Sequence, residues 1–149
     1  ISDAEYRACG STALLDAVGM TIDKIGGVQK NTADAYRAEK VLFVIITDGQ
    51  ENASRAYSAD RIRHMVERQK ARYGWEFLYL GANVDAVLAA GRVGIAPDRA
   101  QNYCPDSRGV GLNFRAVGEA AAAFRQCAEL PPMWAREIQS DYKKRGGSQ

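Results

Sequence analysis

The sequence predicts an α/β fold built on a parallel sheet. Three observations carry that reading. Val41-Leu42-Phe43-Val44-Ile45-Ile46 is a continuous apolar run, rich in β-branched residues, that stops at Thr47-Asp48-Gly49. Such a run, ended by a turn, reads as a strand buried on both faces. A second run, Trp75-Glu76-Phe77-Leu78-Tyr79-Leu80-Gly81, has the same character. Stretches with helical apolar spacing lie between and around the two, and helix and strand in alternation is the pattern of a parallel sheet with right-handed crossovers.

The first helix is expected from Thr12. Leu14, Leu15, Val18, Ile22 and Ile25 fall on one face at helical spacing. Ser11 or Thr12 is suited to the N-cap, and Gly26-Gly27 to the stop. Asp16 sits where the helix dipole favours a carboxylate. Residues 28–40 are polar and read as a connection with a short helical continuation. The strand 41–47 follows, then a polar loop over 48–57.

Ser58 is expected to cap a second helix of about four turns. Its apolar stripe is Ile62, Met65, Val66 and Tyr73, and Gly74 ends it. Its Arg and Lys side chains read as a solvated face. After the strand 75–81, Asn83 is expected to cap a short helix through Gly91 with Val84, Val87 and Leu88 inward. A short third strand is expected at 101–104 and a long helix over 110–130. The stripe of that helix is Val117, Ala120, Ala121, Phe124 and Cys127, with Pro131-Pro132 as its end. Residues 133–145 read as a weakly amphipathic helix whose basic end frays. We therefore expect an α/β domain over 1–130 and a helix and tail over 131–149.

Composition narrows the function. The chain has 149 residues, 46% of them hydrophobic and 26% charged, which suits one globular domain. A formal charge of +2 with Lys and Arg scattered among acids gives no basic stripe for nucleic acid. No apolar run approaches a membrane span. Cys9, Cys104 and Cys127 are odd in number and widely spaced, which fits a reducing, cytoplasmic setting better than a disulfide framework.

In a parallel sheet, ligands gather at the carboxyl edge of the strands. Thr12, at a helix start, and Asp48, at the end of the most apolar strand, both belong to that edge. A hydroxyl and a carboxylate there can supply oxygen ligands to a hard divalent cation such as Mg²⁺. The competing reading makes Thr12 an N-cap and Asp48 a turn former.

The longer context adds a resemblance. Gly10-Ser11-Thr12-Ala13-Leu14-Leu15-Asp16-Ala17, followed by Val44-Ile45-Ile46-Thr47-Asp48-Gly49-Gln50-Glu51-Asn52, resembles the von Willebrand factor A-like domains. Phe77-Leu78-Tyr79-Leu80-Gly81-Ala82-Asn83-Val84-Asp85-Ala86 is similar to the next strand and helix of bacterial members. The resemblance covers most of residues 6–129. It implies a Rossmann-like parallel sheet flanked by helices and a metal-ion-dependent adhesion site made by three loops. Thr12 matches the threonine of the second loop and Asp48 the aspartate of the third. Such domains bind a partner protein whose acidic side chain completes the cation's coordination. Most are not enzymes, and no enzyme is expected here.

The first loop of that site, Asp-x-Ser-x-Ser, is absent from the sequence, and residues 1–11 hold no counterpart of the strands that precede it in the family. Two readings follow: the carboxyl-terminal part of a longer domain, truncated at its N-terminus, or a shortened protein without the site. A first residue of Ile1 rather than Met favours the former. Without its central neighbour, strand 41–47 would expose an apolar edge. That edge is expected to be covered by a missing segment, a second copy of the chain or a partner. The alternatives to an adhesion module are a metal-free assembly domain using that edge, and a metal-dependent phosphohydrolase using Asp48 with Glu51 and Asp16 nearby.

Other signals are weaker. Gly109-Val110-Gly111 lacks the third glycine of a dinucleotide fingerprint. His64 reads as a helix surface residue. Cys104 and Arg108 are too close in sequence to wrap a phosphate. Cys9 and Cys127 read as small packing residues.

Overall fold

A computed structural model describes residues 12–147. Expectations for Cys9, Gly10 and Ser11 lie outside the described residues. Three parallel strands form one sheet in the order β1-β2-β3. They are β1 (Leu42–Thr47), β2 (Glu76–Gly81) and β3 (Ala100–Asn102). Among the described residues five α-helices flank them: α1 (Leu14–Asn31), α2 (Ala59–Tyr73), α3 (Ala86–Arg92), α4 (Ser107–Cys127) and α5 (Arg136–Lys144). The α/β class with a parallel sheet is therefore present, and the arrangement is compatible with a Rossmann-like fold.

Side-chain alternation along the strands divides the core in two. Phe43, Ile45, Phe77 and Tyr79 point to one face and pack with Val18 and Ile22 of α1, Ile62 and Val66 of α2, and Ala86 and Ala90 of α3. Leu78 and Leu80 point to the other and pack with Ala116, Ala120 and Phe124 of α4 and Ile138 of α5. Both faces of β2 are covered, which is why its apolar run is unbroken.

The coverage of β1 corrects the expectation of a strand buried on both faces. Phe43, Ile45 and Thr47 are buried, Leu42 and Val44 are half-buried, and Ile46 is 42% exposed. Only β2 pairs with β1 among the described residues, so its other edge carries no strand there.

Several local expectations also change. α1 runs through Gly26 and Gly27 to Asn31, because neither glycine adopts a left-handed backbone there. Gly74 does, at φ 64°, and it closes α2 as expected. Ser58 caps α2 by accepting the Arg61 N–H. The cap of α3 is Asp85, not Asn83, and the buried side chains of that helix are Ala86 and Ala90 while Leu88 is 56% exposed.

α4 begins earlier than expected, capped by Asp106, and ends at Cys127 with Ala128 left-handed, before the two prolines. Its buried positions are Gly109, Asn113, Ala116, Ala120 and Phe124, so the stripe is shifted and Cys127 is exposed rather than packed. Gly109 lies in this helix. A Cβ there would meet the Cys104 carbonyl oxygen at 1.9 Å, so the glycine serves close packing and not a phosphate loop.

The carboxyl-terminal segment is anchored rather than frayed. Trp134 and Ile138 are buried in the second core cluster, and the Trp134 indole donates to the Asp98 carbonyl at 2.9 Å. Arg145 pairs with Asp106 and with Asp141, the latter at 3.0 Å. Among the described residues no helix is long and apolar enough to cross a membrane.

Candidate functional site at the carboxyl edge of the sheet

The loop between β1 and α2, residues 48–57, folds back over the start of α1. Its polarity and small residues leave it no apolar anchor until Tyr57, so hydrogen bonds fix it. Thr12 N–H donates to Asn52 Oδ1 at 2.8 Å, and Asn52 N–H returns a bond to the Thr12 carbonyl at 3.2 Å. The Glu51 carboxylate accepts from the N–H groups of Leu15, Ala53 and Ser54 at 2.8, 2.9 and 2.7 Å and from the Ser54 hydroxyl at 2.8 Å. The Asp16 carboxylate accepts from the N–H groups of Arg55, Ala56 and Tyr57, each at 2.9 Å.

These contacts revise the roles read from sequence. The N-cap of α1 is Ala13, whose side chain caps nothing. The open N–H groups of the first turn are met from across the fold instead: Leu15 by Glu51, and Asp16 by the Ser54 hydroxyl at 3.0 Å. Thr12 is therefore not the cap, and its hydroxyl is not drawn into the helix. Glu51 and Asp16 accept backbone donors of the loop and of α1.

Electrostatics follow the same contacts. Burial works against ionisation of Glu51, but the hydrogen bonds from Ser54, Leu15 and Ala53 outweigh it and lower its pKa. The Arg55 N–H is the main cause holding Asp16 below its ordinary value. Tyr57 ends the loop by donating its hydroxyl to Asp23 Oδ2 at 2.7 Å. Its ring occupies the space a side chain at Gly19 would need, since a Cβ there would lie 2.3 Å from it.

Thr12 lies beside the turn that follows β1. A Cβ built on Gly49 would stand 3.6 Å from Thr12 Oγ1, so the residue next to Asp48 lies beside the threonine hydroxyl. Asp48 is exposed and Thr12 half-buried. The Thr47 hydroxyl donates to the Gly49 carbonyl at 3.0 Å and tightens the turn. Asn83, left-handed at φ 57°, donates its side-chain N–H to the Asp48 carbonyl at 3.1 Å and ties this turn to the β2–α3 loop. Tyr103 sits below, its hydroxyl donating to the Thr47 carbonyl at 3.4 Å. Burial, and then the charge of Asp48, push the Tyr103 phenol up.

No family model, no curated protein and no solved structure matches the chain.

Both Thr12 and Asp48 carry oxygen atoms of the kind that hard cations take as ligands. Among the described residues no group of three His, Cys, Asp or Glu side chains is placed to hold a metal. Two further signals stay outside the site. His64 is exposed on α2, its Nδ1 2.7 Å from the Asp60 carbonyl oxygen. Arg108 pairs with Asp141 at 2.9 Å rather than with Cys104.

Proposed function

We propose that the chain is a protein-interaction module of the von Willebrand factor A type. In this reading the carboxyl edge of β1 presents Thr12 and Asp48 to a divalent cation, and an acidic group of a partner protein completes its coordination. The observation that carries it is the approach of the Thr12 hydroxyl to the Asp48-Gly49 turn, held by the reciprocal Thr12–Asn52 pair. The pair holds Thr12 near the turn that carries Asp48, and the exposure of Asp48 leaves room for further oxygen ligands. Mg²⁺, which keeps several waters, suits so small a donor set.

Calorimetric titration with Mg²⁺ or Mn²⁺ tests this reading on the full-length gene product. Saturable binding that is lost in Asp48→Ala supports it. Equal binding by both proteins removes Asp48 from the site.

The half-covered β1 favours a second reading, a metal-free assembly domain. Ile46 is 42% exposed on a strand whose outer edge meets no other described strand. An unpaired apolar edge is a template for another chain. Concentration-dependent oligomerisation that is unchanged by EDTA and abolished by Ile46→Lys would favour it over the cation-dependent reading.

A further inference from the structure

Beside the candidate cation site, on the face of the sheet covered by α1, α2 and α3, lies a cavity of about 330 Å³. It opens between α1, α2 and α3 at the carboxyl edge, with walls that include Leu15, Ile45, Ile62 and Leu88. This is the size and the position at which α/β sheets take small ligands.

One polar group in it stands apart. Tyr79, on the central strand, is only 3% exposed. Its ring runs along the sheet over Gly81, where a Cβ would come within 3.3 Å of it, so the phenol reaches toward the carboxyl edge. Burial, and then the nearby Glu51 carboxylate, raise its pKa, so the hydroxyl is neutral at physiological pH. Among the described residues the hydroxyl has no hydrogen-bond partner, and Tyr79 lines the cavity.

The charged groups around the cavity are balanced or occupied. Glu51 is filled by its four donors, and Asp85 accepts the Leu88 N–H at 2.9 Å. Arg92 lines the same rim as Asp85, so the rim has no single sign. An apolar interior penalises a charged ligand that it cannot pair.

We infer that this cavity is a binding site for a small, neutral, largely apolar molecule that carries one hydrogen-bonding group for the Tyr79 hydroxyl. The site is independent of the cation reading, because it uses neither Thr12 nor Asp48. The apolar walls supply the affinity and the phenol supplies orientation.

The test is calorimetry with 2-naphthol and with naphthalene in EDTA, so that loss of the cation site cannot affect the outcome. Wild type is expected to bind both saturably at one site. Tyr79→Phe, which keeps the ring, is expected to weaken 2-naphthol by about 3- to 10-fold and leave naphthalene unchanged. Leu88→Trp, at a half-exposed rim position that tolerates bulk, is expected to abolish binding of both while the circular dichroism spectrum is retained. No saturable binding by wild type would overturn the inference. So would Tyr79→Phe binding 2-naphthol as tightly as wild type, even if Leu88→Trp failed to fold.

Discussion

Thr12 and Asn52 exchange hydrogen bonds in both directions, Thr12 N–H to Asn52 Oδ1 at 2.8 Å and Asn52 N–H to the Thr12 carbonyl at 3.2 Å. The second of these needs only backbone, so it survives substitution of Asn52. The first does not. Asn52→Ala is expected to reduce stability by about 0.5–1 kcal/mol, since the pair is exposed and water replaces the lost partner. It is also expected to weaken Mg²⁺ binding several-fold, because Thr12 is no longer held against the turn. Urea denaturation and calorimetry read the two effects. Unchanged cation affinity with reduced stability would show that the pair is structural only.

Glu51 makes stability depend on pH in a defined direction. Its folded pKa lies below the ordinary value of 4.5. A carboxylate depressed on folding stabilises the protein above its unfolded pKa, and that contribution is lost as pH falls through the folded value. Asp16 adds to the same trend from below 3.8. The free energy of unfolding should therefore fall as the pH drops below the ordinary values of these groups and through their lowered folded values. Glu51→Gln should lower stability by about 1 kcal/mol at neutral pH, a modest figure because the loop is wetted, and should flatten the acid limb. A variant with the wild-type acid limb would show that the carboxylate's charge does not matter.

Asn113 is a local conflict within α4. It is 1% exposed, and among the described residues neither its Nδ2 nor its Oδ1 has a partner. A buried amide without partners costs its desolvation, whereas an apolar side chain of similar size does not. Asn113→Leu is expected to raise stability by about 1–2 kcal/mol, measured by thermal or urea unfolding. A loss of stability would mean that an ordered water satisfies the amide and that its displacement is costly.

The strands were legible in the sequence because β2 and β1 are apolar, β-branched or aromatic, and bounded by turn residues. Ser58 and Gly74 were legible because their capping roles are local. The errors share a different cause. Gly26-Gly27 looked like a stop, but a glycine ends a helix only when the chain needs a left-handed residue, and here it continues. Thr12 looked like an N-cap because the true partners of the first turn, Glu51 and Ser54, lie 36 and 38 residues away. Ile46 reads as buried because an unbroken apolar run reports what a strand is suited to pack against, and not whether a neighbour is there.

The same distinction applies to the site. That Thr12 and Asp48 share the carboxyl edge follows from the rules of parallel sheets. That Glu51, Asp16 and Asn52 are the struts holding the loop has no local signal, since each acts across the fold.

A divalent cation at the Thr12–Asp48 edge is tested most directly with Mn²⁺, which reports its own position by broadening nearby nuclear magnetic resonances. Substoichiometric Mn²⁺ added to the ¹⁵N-labelled full-length protein should broaden the amides of Thr12, Gly49 and Asn83 first, and Asp48→Ala should remove that selectivity. Sharp signals at these residues while others broaden, or the same broadening in Asp48→Ala, would contradict the account.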